Sequence, residues 1–222
     1  MEIRTKQTLP KSVIHGFKEV STSTIGTVMD RMGINGIING LRCLMPGVRI
    51  AGSAFTVKEC VGTLGTYSKS DFPVGEAIDL MKAGDILVVD MGGQEVSTMG
   101  GLGSLAMKLK GVEGMVVDGG VRDVEQIISL RFPAYVVHTC ARSGQTRVKW
   151  LTVNGPVKIC DVRVNPGDII VADDTSVAVV PMEQAAEILK ESQRIERLEQ
   201  KFEAELKKGS TFRETAKKLG II

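Results

Sequence analysis

The chain has 222 residues, of which 43% are hydrophobic and 24% charged, and its formal net charge is +2. This length suits one well-buried core better than two independent domains, and the near-neutral charge does not indicate a nucleic-acid or membrane surface. Four scattered cysteines without a CxxC pair argue against a zinc ribbon or a disulfide framework. The first residues lack the apolar core of a signal peptide, and no apolar run approaches the roughly 20 residues of a membrane span. We therefore expect a soluble cytoplasmic protein without membrane or nucleic-acid partners.

The first third of the chain predicts helices on either side of one strand. Residues 10–33 favour two short helices with apolar residues at helical spacing. β-Branched residues predict a strand over 46–58, and residues 72–84 favour a helix that ends at Gly84.

From residue 85 onwards, short apolar strands alternate with helices. The predicted order is strand, helix, strand, helix, strand, over residues 85–90, 102–110, 114–118, 122–130 and 134–138. Such alternation is typical of parallel βαβ units whose helices cover the sheet. The pair Gly119–Gly120 predicts a tight turn after the second of these strands.

Beyond residue 145 the pattern changes to short β segments. Asn154–Gly155 lies between two strand-like runs and predicts a hairpin, and residues 168–173 and 176–181 predict a final pair of strands. The stretches "AGDILVVD" and "PGDIIVADD" resemble each other. They are explained either by common Gly-Asp turn chemistry or by two similarly built strand entries.

The last segment predicts a long helical tail. Residues 181–209 are charged, with apolar residues along one helical face. We divide the chain into an α/β domain, 1–182, and a helical tail, 183–222. The tail is expected to pack on a neighbouring subunit, with packing on its own domain as the alternative.

A glycine-rich loop follows the strand over 85–90. Its glycines at 92, 93, 100, 101 and 103 leave backbone N–H groups free to converge, and the next helix adds positive charge at its N-terminus. Such a loop suits a small carboxylate or phosphate. It contains neither a Walker sequence nor a complete GxGxxG, so a purely structural loop remains an alternative.

The adjacent pair Arg122–Asp123 follows the next strand of the same predicted sheet. Ligands of parallel sheets bind beyond the carboxyl ends of the strands, so this pair and residues 100–103 are expected to share one edge. Arginine offers a planar fork for a carboxylate, and a lone aspartate suits a hydrated Mg²⁺ ion. A simple charge pair at a helix start explains the same residues.

The stretch "GGLGSLAMKLKGVEGMVVDGGVRD" resembles the signature of the RraA-like family. The likeness continues through "PGVRIAGSAFTV", "AGDILVVD", "VNPGDIIVADD" and "VAVVP", which together span roughly residues 20–182 in order. This family includes the class II 4-hydroxy-4-methyl-2-oxoglutarate and 4-carboxy-4-hydroxy-2-oxoadipate aldolases, which also decarboxylate oxaloacetate.

The resemblance implies an α/β fold, a single-domain α/β/β/α sandwich of the swivelling type with a long C-terminal helix, assembled as a trimer or a dimer of trimers. It implies that Gly100, Gly101, Leu102 and Gly103 receive an α-keto acid through backbone amides. Arg122 would bind the substrate and Asp123 a divalent metal cation, Mg²⁺ or Mn²⁺. Both residues would then serve a lyase reaction that passes through a pyruvate enolate.

Two residues depart from the aldolase pattern. Gly101 stands where those aldolases have an aspartate, and Gln126 stands where an acid is expected. These losses weaken the expectation of aldol cleavage more than that of decarboxylation. A glutamate of the tail would be able to reach a neighbouring site, but the sequence does not assign one.

Other functions have less support from the residues. The non-catalytic alternative is a regulator that binds a protein partner such as RNase E, as some RraA-like proteins do. A Schiff-base aldolase would need Lys58 or Lys149, which are more typical of solvent-facing lysines beside strands. A methyltransferase would need a nucleotide-binding glycine turn that the chain lacks. His138 fits a structural role at a strand end better than catalysis.

Overall fold

The computed structural model describes residues 1–220 and has one large mixed sheet with helices packed against it. Within these residues the α-helices are α1 (Lys11–Gly16), α2 (Thr22–Arg31), α3 (Val74–Leu80), α4 (Gly101–Leu109), α5 (Val124–Ser129), α6 (Ala185–Lys207) and α7 (Phe212–Leu219). Short 3₁₀ helices cover Phe17–Glu19, Lys69–Asp71 and Met182–Gln184.

The strands form one sheet of ten and a separate two-stranded ribbon. They are β1 (Glu2–Ile3), β2 (Ile37–Ile38), β3 (Arg42–Cys43), β4 (Ile50–Val61), β5 (Asp85–Met99), β6 (Gly114–Val121), β7 (Ala134–Thr139), β8 (Val148–Val153), β9 (Val157–Ile159), β10 (Val162–Val164), β11 (Ile169–Ala172) and β12 (Val177–Val180). The main path of the sheet runs β2-β12-β11-β4-β5-β6-β7-β3, β8 pairs with both β1 and β4, and β9 pairs with β10.

The parallel centre of the sheet confirms the predicted βαβ order. β4, β5, β6 and β7 run parallel to one another. Helices α3, α4 and α5 cover one face and bury Ile78, Met107 and Ile127. The ribbon β9–β10 covers part of the other face, where Val157 and Ile159 pack on the sheet. Both faces of these strands are buried, which explains their continuous apolar sequences.

The predicted turn at Gly119–Gly120 is wrong, because both residues belong to β6. β5 also does not end at Asp90 but continues to Met99 alongside the last residues of β6, with three shifts of register. A Cβ atom on Gly120 would lie 2.7 Å from the backbone oxygen of Val96. These glycines therefore permit close approach of β5 and β6, and the sequence does not distinguish that role from a turn.

The predicted hairpin at Asn154–Gly155 is also wrong. The chain does turn there, with Asn154 at φ 53°. The flanking strands nevertheless take different partners, because β8 pairs antiparallel with β4 whereas β9 pairs with β10. An Asn-Gly turn fixes the local backbone, but tertiary packing decides which strands pair.

The repeated Gly-Asp stretches are two similarly built strand entries. Gly84 and Gly167 both have positive φ, 88° and 94°. In each, the aspartate after the glycine accepts a hydrogen bond from the backbone N–H three residues before it, at 2.9 Å for Asp85 and 2.8 Å for Asp168. The strands that follow, β5 and β11, lie on either side of β4.

The long tail helix α6 packs on its own domain along its first half. Ala185 and Ile188 are buried with Phe17, Ile25 and Met29 of the N-terminal helices. This is the alternative that the sequence left open, and contact of the tail with a neighbouring subunit stays a prediction. Among residues 1–220, no helix combines the length and the apolar character needed to cross a membrane.

The close approach of β5 and β6 gives a first prediction. Gly120→Ala should destabilise the fold by about 1–3 kcal/mol, because the added methyl group meets a fixed backbone oxygen. Gly75→Ala is the matched control, since a Cβ on Gly75 meets nothing within 4 Å. Urea unfolding of both variants measures the difference, and equal stability of Gly120→Ala and wild type would contradict this role of Gly120.

Candidate active site

The two segments singled out in the sequence meet at one edge of the sheet. β5 ends at Met99, one residue before α4, and β6 ends at Val121 immediately before Arg122. The backbone N–H of Arg122 donates to the carbonyl oxygen of Met99 at 3.0 Å. This bond fastens Arg122–Asp123 to the chain that enters the loop over residues 100–103, which we call the glycine loop.

Asp123 has an unusual backbone conformation. It lies in the left-handed region at φ 56° and ψ 44°, and its side chain makes no capping bond to α5, the helix that it precedes. Its Oδ2 atom instead accepts a hydrogen bond from the backbone N–H of Gly101 at 3.1 Å. Asp123 thus binds the first residue of α4, where a carboxylate is stabilised by the helix dipole.

The side chains of Arg122 and Asp123 form a solvent-exposed ion pair, which we call the Arg122–Asp123 cluster. The Nε atom of Arg122 lies 3.5 Å from Oδ2 of Asp123, and their side chains are 48% and 42% exposed. Solvent screens an ion pair of this kind, so it contributes little to stability. Both charged groups therefore remain accessible to an incoming ligand.

Gly100 allows the Arg122–Asp123 pair to reach the glycine loop. A Cβ atom on Gly100 would lie 2.5 Å from Oδ2 of Asp123 and 3.1 Å from Nε of Arg122. Its φ of −140° is extended backbone that any residue adopts, so close packing is the reason for glycine here.

The first turn of α4 supplies backbone donors beside this pair. The N–H of Ser104 donates within the helix to Gly100, and the N–H of Gly101 is bound to Asp123. The N–H groups of Leu102 and Gly103 belong to the first turn and have no carbonyl of their own helix to bind. They are therefore available to an anion next to Arg122.

The residues present fit one weakly held divalent cation. Residues 1–220 include no group of three or more histidine, cysteine, aspartate or glutamate side chains that could enclose a metal ion. Asp123 is the one carboxylate of the Arg122–Asp123 cluster, and its hydrogen bond and ion pair both use Oδ2. One carboxylate oxygen suits Mg²⁺, which retains several waters and binds few protein ligands.

The two departures from the aldolase pattern are neighbours in space. The side chain of Gln126 lies over Gly101, where its terminal amide would overlap a Cβ atom on residue 101. Gln126 is exposed, so its amide faces the same edge of the sheet as Asp123. The amide of Gln126 thus occupies the space that a side chain at residue 101 would need, so the two departures depend on each other.

Other polar residues at this end of the sheet have structural partners. Asp90 and Asp118 pair across β5 and β6, and each accepts a backbone N–H from the ribbon β9–β10. Lys58 lies within β4 and is ion-paired with the buried Asp90 at 2.7 Å, so it does not simply face solvent as expected. The Nε2 atom of His138 lies 3.1 Å from the carbonyl oxygen of Gly93.

Glu59 is a buried acid that is not among the candidate residues predicted from the sequence. This side chain is 2% exposed, and burial raises its pKa to about 8. Oγ1 of Thr98 donates to its Oε1 atom at 2.5 Å. The sequence does contain a signal for this residue, namely an acid within the apolar strand "IAGSAFTVKECV". The alternation of side chains along a strand, however, does not show that residue 59 faces the core.

Comparison with known proteins identifies the family. The model of the RraA-like family, described as Aldolase/RraA, matches residues 22–179, and the chain belongs to this family. An uncharacterized protein of Methanocaldococcus jannaschii is 34% identical over 80% of this chain and 83% of its own.

Two further relatives have informative names. A 4-hydroxy-4-methyl-2-oxoglutarate aldolase of Thermus thermophilus is 35% identical over 45% of this chain and 60% of its own. The structure of Streptomyces coelicolor RraAS2, described as an unusual member of the RNase ES inhibitor RraA family, is similar with a TM-score of 0.80. It is 26% identical to this chain and covers 88% of this chain and 98% of its own.

The packing at Gly100 gives the second prediction. Gly100→Ala should displace the carboxylate of Asp123 and weaken Mn²⁺ binding by about tenfold or more, while the fold stays intact. Titration of Mn²⁺ followed by electron paramagnetic resonance measures the affinity, with Gly75→Ala as the control. Unchanged Mn²⁺ affinity in Gly100→Ala would contradict the assignment of Asp123 as the metal ligand.

Proposed function

We propose that the protein is a divalent-metal-dependent lyase that cleaves a C–C bond of short α-keto diacids. Oxaloacetate decarboxylation is the first candidate reaction, and retro-aldol cleavage of 4-hydroxy-4-methyl-2-oxoglutarate is the second. The observation that carries the proposal is the convergence of Arg122, Asp123 and the first-turn amides of α4 at one accessible edge. Membership of the Aldolase/RraA family supports it.

Each group has a role that follows from its chemistry. The guanidinium of Arg122 is suited to bind a substrate carboxylate through two parallel hydrogen bonds. The amides of Leu102 and Gly103 donate to the same anion or to the keto oxygen. A divalent cation on Asp123 would supply the Lewis acidity that stabilises an enolate. Asp123 is oriented for this by its bond to Gly101, which leaves Oδ1 for the cation.

The two reactions make different demands on proton transfer. Retro-aldol cleavage needs a base that removes the substrate's hydroxyl proton, whereas decarboxylation of a β-keto acid removes no proton before the C–C bond breaks. Neither Gly101 nor the amide of Gln126 is such a base. The site as built therefore favours decarboxylation.

We also propose that the protein forms a homotrimer or a dimer of trimers. Leu102, Leu105 and Leu109 lie along one side of α4, and the first and last of these are 78% and 80% exposed. A row of exposed leucines beside the glycine loop supports a subunit contact at the site.

The alternative function is a non-catalytic regulator that binds a protein partner such as RNase E. The likeness to RraAS2, described as a member of the RNase ES inhibitor family, supports this alternative. The exposed leucines of α4 would serve a foreign partner as well as a second copy.

The third prediction is an activity. The purified protein with Mg²⁺ or Mn²⁺ should decarboxylate oxaloacetate faster than the metal alone, and EDTA should abolish the difference. Asp123→Asn should reduce kcat/KM by about 100-fold or more, because asparagine tolerates the left-handed backbone but removes the charge that holds the metal. The loss of oxaloacetate absorbance measures the rate.

Glu125→Gln is the matched control, since Glu125 is an exposed acid on the same helix start and contacts neither Gly101 nor Arg122. This variant should retain full activity. A wild-type protein without activity above either metal alone would overturn the lyase proposal and favour the regulator.

The fourth prediction concerns the coupled pair Gly101 and Gln126. The double substitution Gly101→Asp and Gln126→Ala should raise retro-aldol cleavage relative to decarboxylation, because it adds a base and removes the side chain that fills its space. Gly101→Asp alone should gain less, since the new side chain meets Gln126. Pyruvate release from both substrates gives the ratio, and Gln126→Ala alone is the control. Equal ratios in the single and double variants would show that the two positions are independent.

A further inference from the structure

Glu59 is a buried acid on the strand beside the one that carries the glycine loop. It lies opposite Trp150 in the antiparallel pairing of β4 with β8, so both side chains point to the face that α3, α4 and α5 cover. Val57 and Trp150 belong to the apolar cluster on that face. Glu59 thus lies in an apolar layer, where an ionised carboxylate is costly.

The hydrogen bonds of Glu59 are incomplete. Its Oε1 atom accepts from Oγ1 of Thr98, but its buried Oε2 atom has no partner among residues 1–220. The indole Nε1 of Trp150 is also buried without a partner in that part of the chain. Buried polar atoms without partners are rare and call for an explanation.

Thr98 connects Glu59 to the candidate active site. It precedes Met99, whose carbonyl oxygen accepts from Oγ of Ser97 at 2.8 Å and from the backbone N–H of Arg122 at 3.0 Å. The glycine loop begins at the next residue, Gly100. A movement of Thr98 would therefore reach both Arg122 and the loop.

We propose that Glu59 is a positioning residue whose carboxyl group, by accepting the hydrogen bond from Thr98, holds Thr98 and through it the glycine loop in the conformation that binds substrate. Ionisation would make both carboxyl oxygens stronger acceptors, so that Oε1 would hold Thr98 more tightly and Oε2 would accept the indole N–H of Trp150. The kinetic consequence rests on the proposed lyase function, but the structural consequence does not.

The energetics give the direction of the pH dependence. The pKa of Glu59 is raised to about 8: burial is the largest effect and raises it, the hydroxyl of Thr98 lowers it, and Asp90 raises it. Because the pKa is higher in the folded than in the unfolded chain, the stabilisation is complete below the unfolded value and is lost as the pH rises through about 8.

Other groups near Glu59 that titrate or carry charge are identifiable on each neighbouring element. On β5, Asp90 is paired with Lys58 of β4, and on β8, Lys149 is paired with Asp71. Along β4, the thiol of Cys60 is hydrogen-bonded to Tyr67 at 3.3 Å. The helices on this face contribute apolar side chains, namely Ile78, Met107 and Ile127. Cys60, the neighbour of Glu59 in the chain, is therefore the residue to substitute as a control.

Tryptophan fluorescence tests the proposal without an activity assay, because Trp150 is the chain's single tryptophan. The full-length protein should show a fluorescence transition near pH 8 that Glu59→Gln removes and Cys60→Ser retains. Thr98→Val should move the transition to higher pH, because it removes the bond that favours the ionised form, whereas Thr98→Ser should leave it in place.

Hydrogen exchange then tests the link to the loop. After correction for intrinsic rates, peptides that cover residues 97–107 should exchange about tenfold more slowly at pH 9 than at pH 6.5 in wild type, since the acid is then mostly ionised and holds Thr98 more tightly. Glu59→Gln should show no such decrease. If the lyase is active, its kcat/KM should rise above pH 8 in wild type and not in Glu59→Gln.

Three results would overturn the proposal. They are a wild-type fluorescence transition that is absent, one that persists in Glu59→Gln, or one that leaves the exchange of residues 97–107 unchanged. A protein that passes both physical tests but lacks lyase activity would contradict the proposed function and leave the positioning role intact.

Discussion

The close contact between the ends of β5 and β6 is the constraint on which the candidate site depends. Gly120 lets β6 lie against the backbone of Val96, and Gly100 leaves room for the carboxylate of Asp123. The bond from the N–H of Arg122 to the carbonyl oxygen of Met99 then fixes the register of the two strand ends. Without this contact, Arg122 and Asp123 would lie on a separate loop from the amides of α4.

The sequence predicts the parallel core well, because its signals are local and mutually consistent. Apolar runs of strand length alternate with helical periods, and only a parallel sheet covered by helices buries both. The structural role of a glycine is harder to predict from the sequence. Gly119 and Gly120 look like a turn, yet both lie in β6, and the left-handed residue is Asp123. Whether a glycine permits a turn or close contact depends on neighbours that are distant in sequence.

The residues of the candidate site are predictable in type but not in geometry. A family resemblance singles out Arg122 and Asp123, but it does not show that Asp123 binds the start of α4 and not its own helix. The same limitation applies to Gln126, whose side chain fills the space beside Gly101. The two departures from the aldolase pattern look independent in the sequence, and the structure shows one contact between them.

The carboxyl groups near this edge differ in burial and in hydrogen-bond partners, and these differences suit them to different roles. Asp90 and Asp118 are buried but accept backbone N–H bonds from the ribbon β9–β10, so their charges hold structure together. Asp123 is half exposed and bonded through one oxygen, which keeps the other oxygen accessible to a cation. Glu59 is buried with one hydroxyl partner, so its neutral form is favoured. A charge that binds a ligand must be reachable from solvent, whereas the carboxyl group that we propose positions Thr98 is shielded from it. Asp123 follows β6 and Glu59 lies on β4, so Thr98 of β5, the strand between them, is the residue through which one carboxyl group can act on the other.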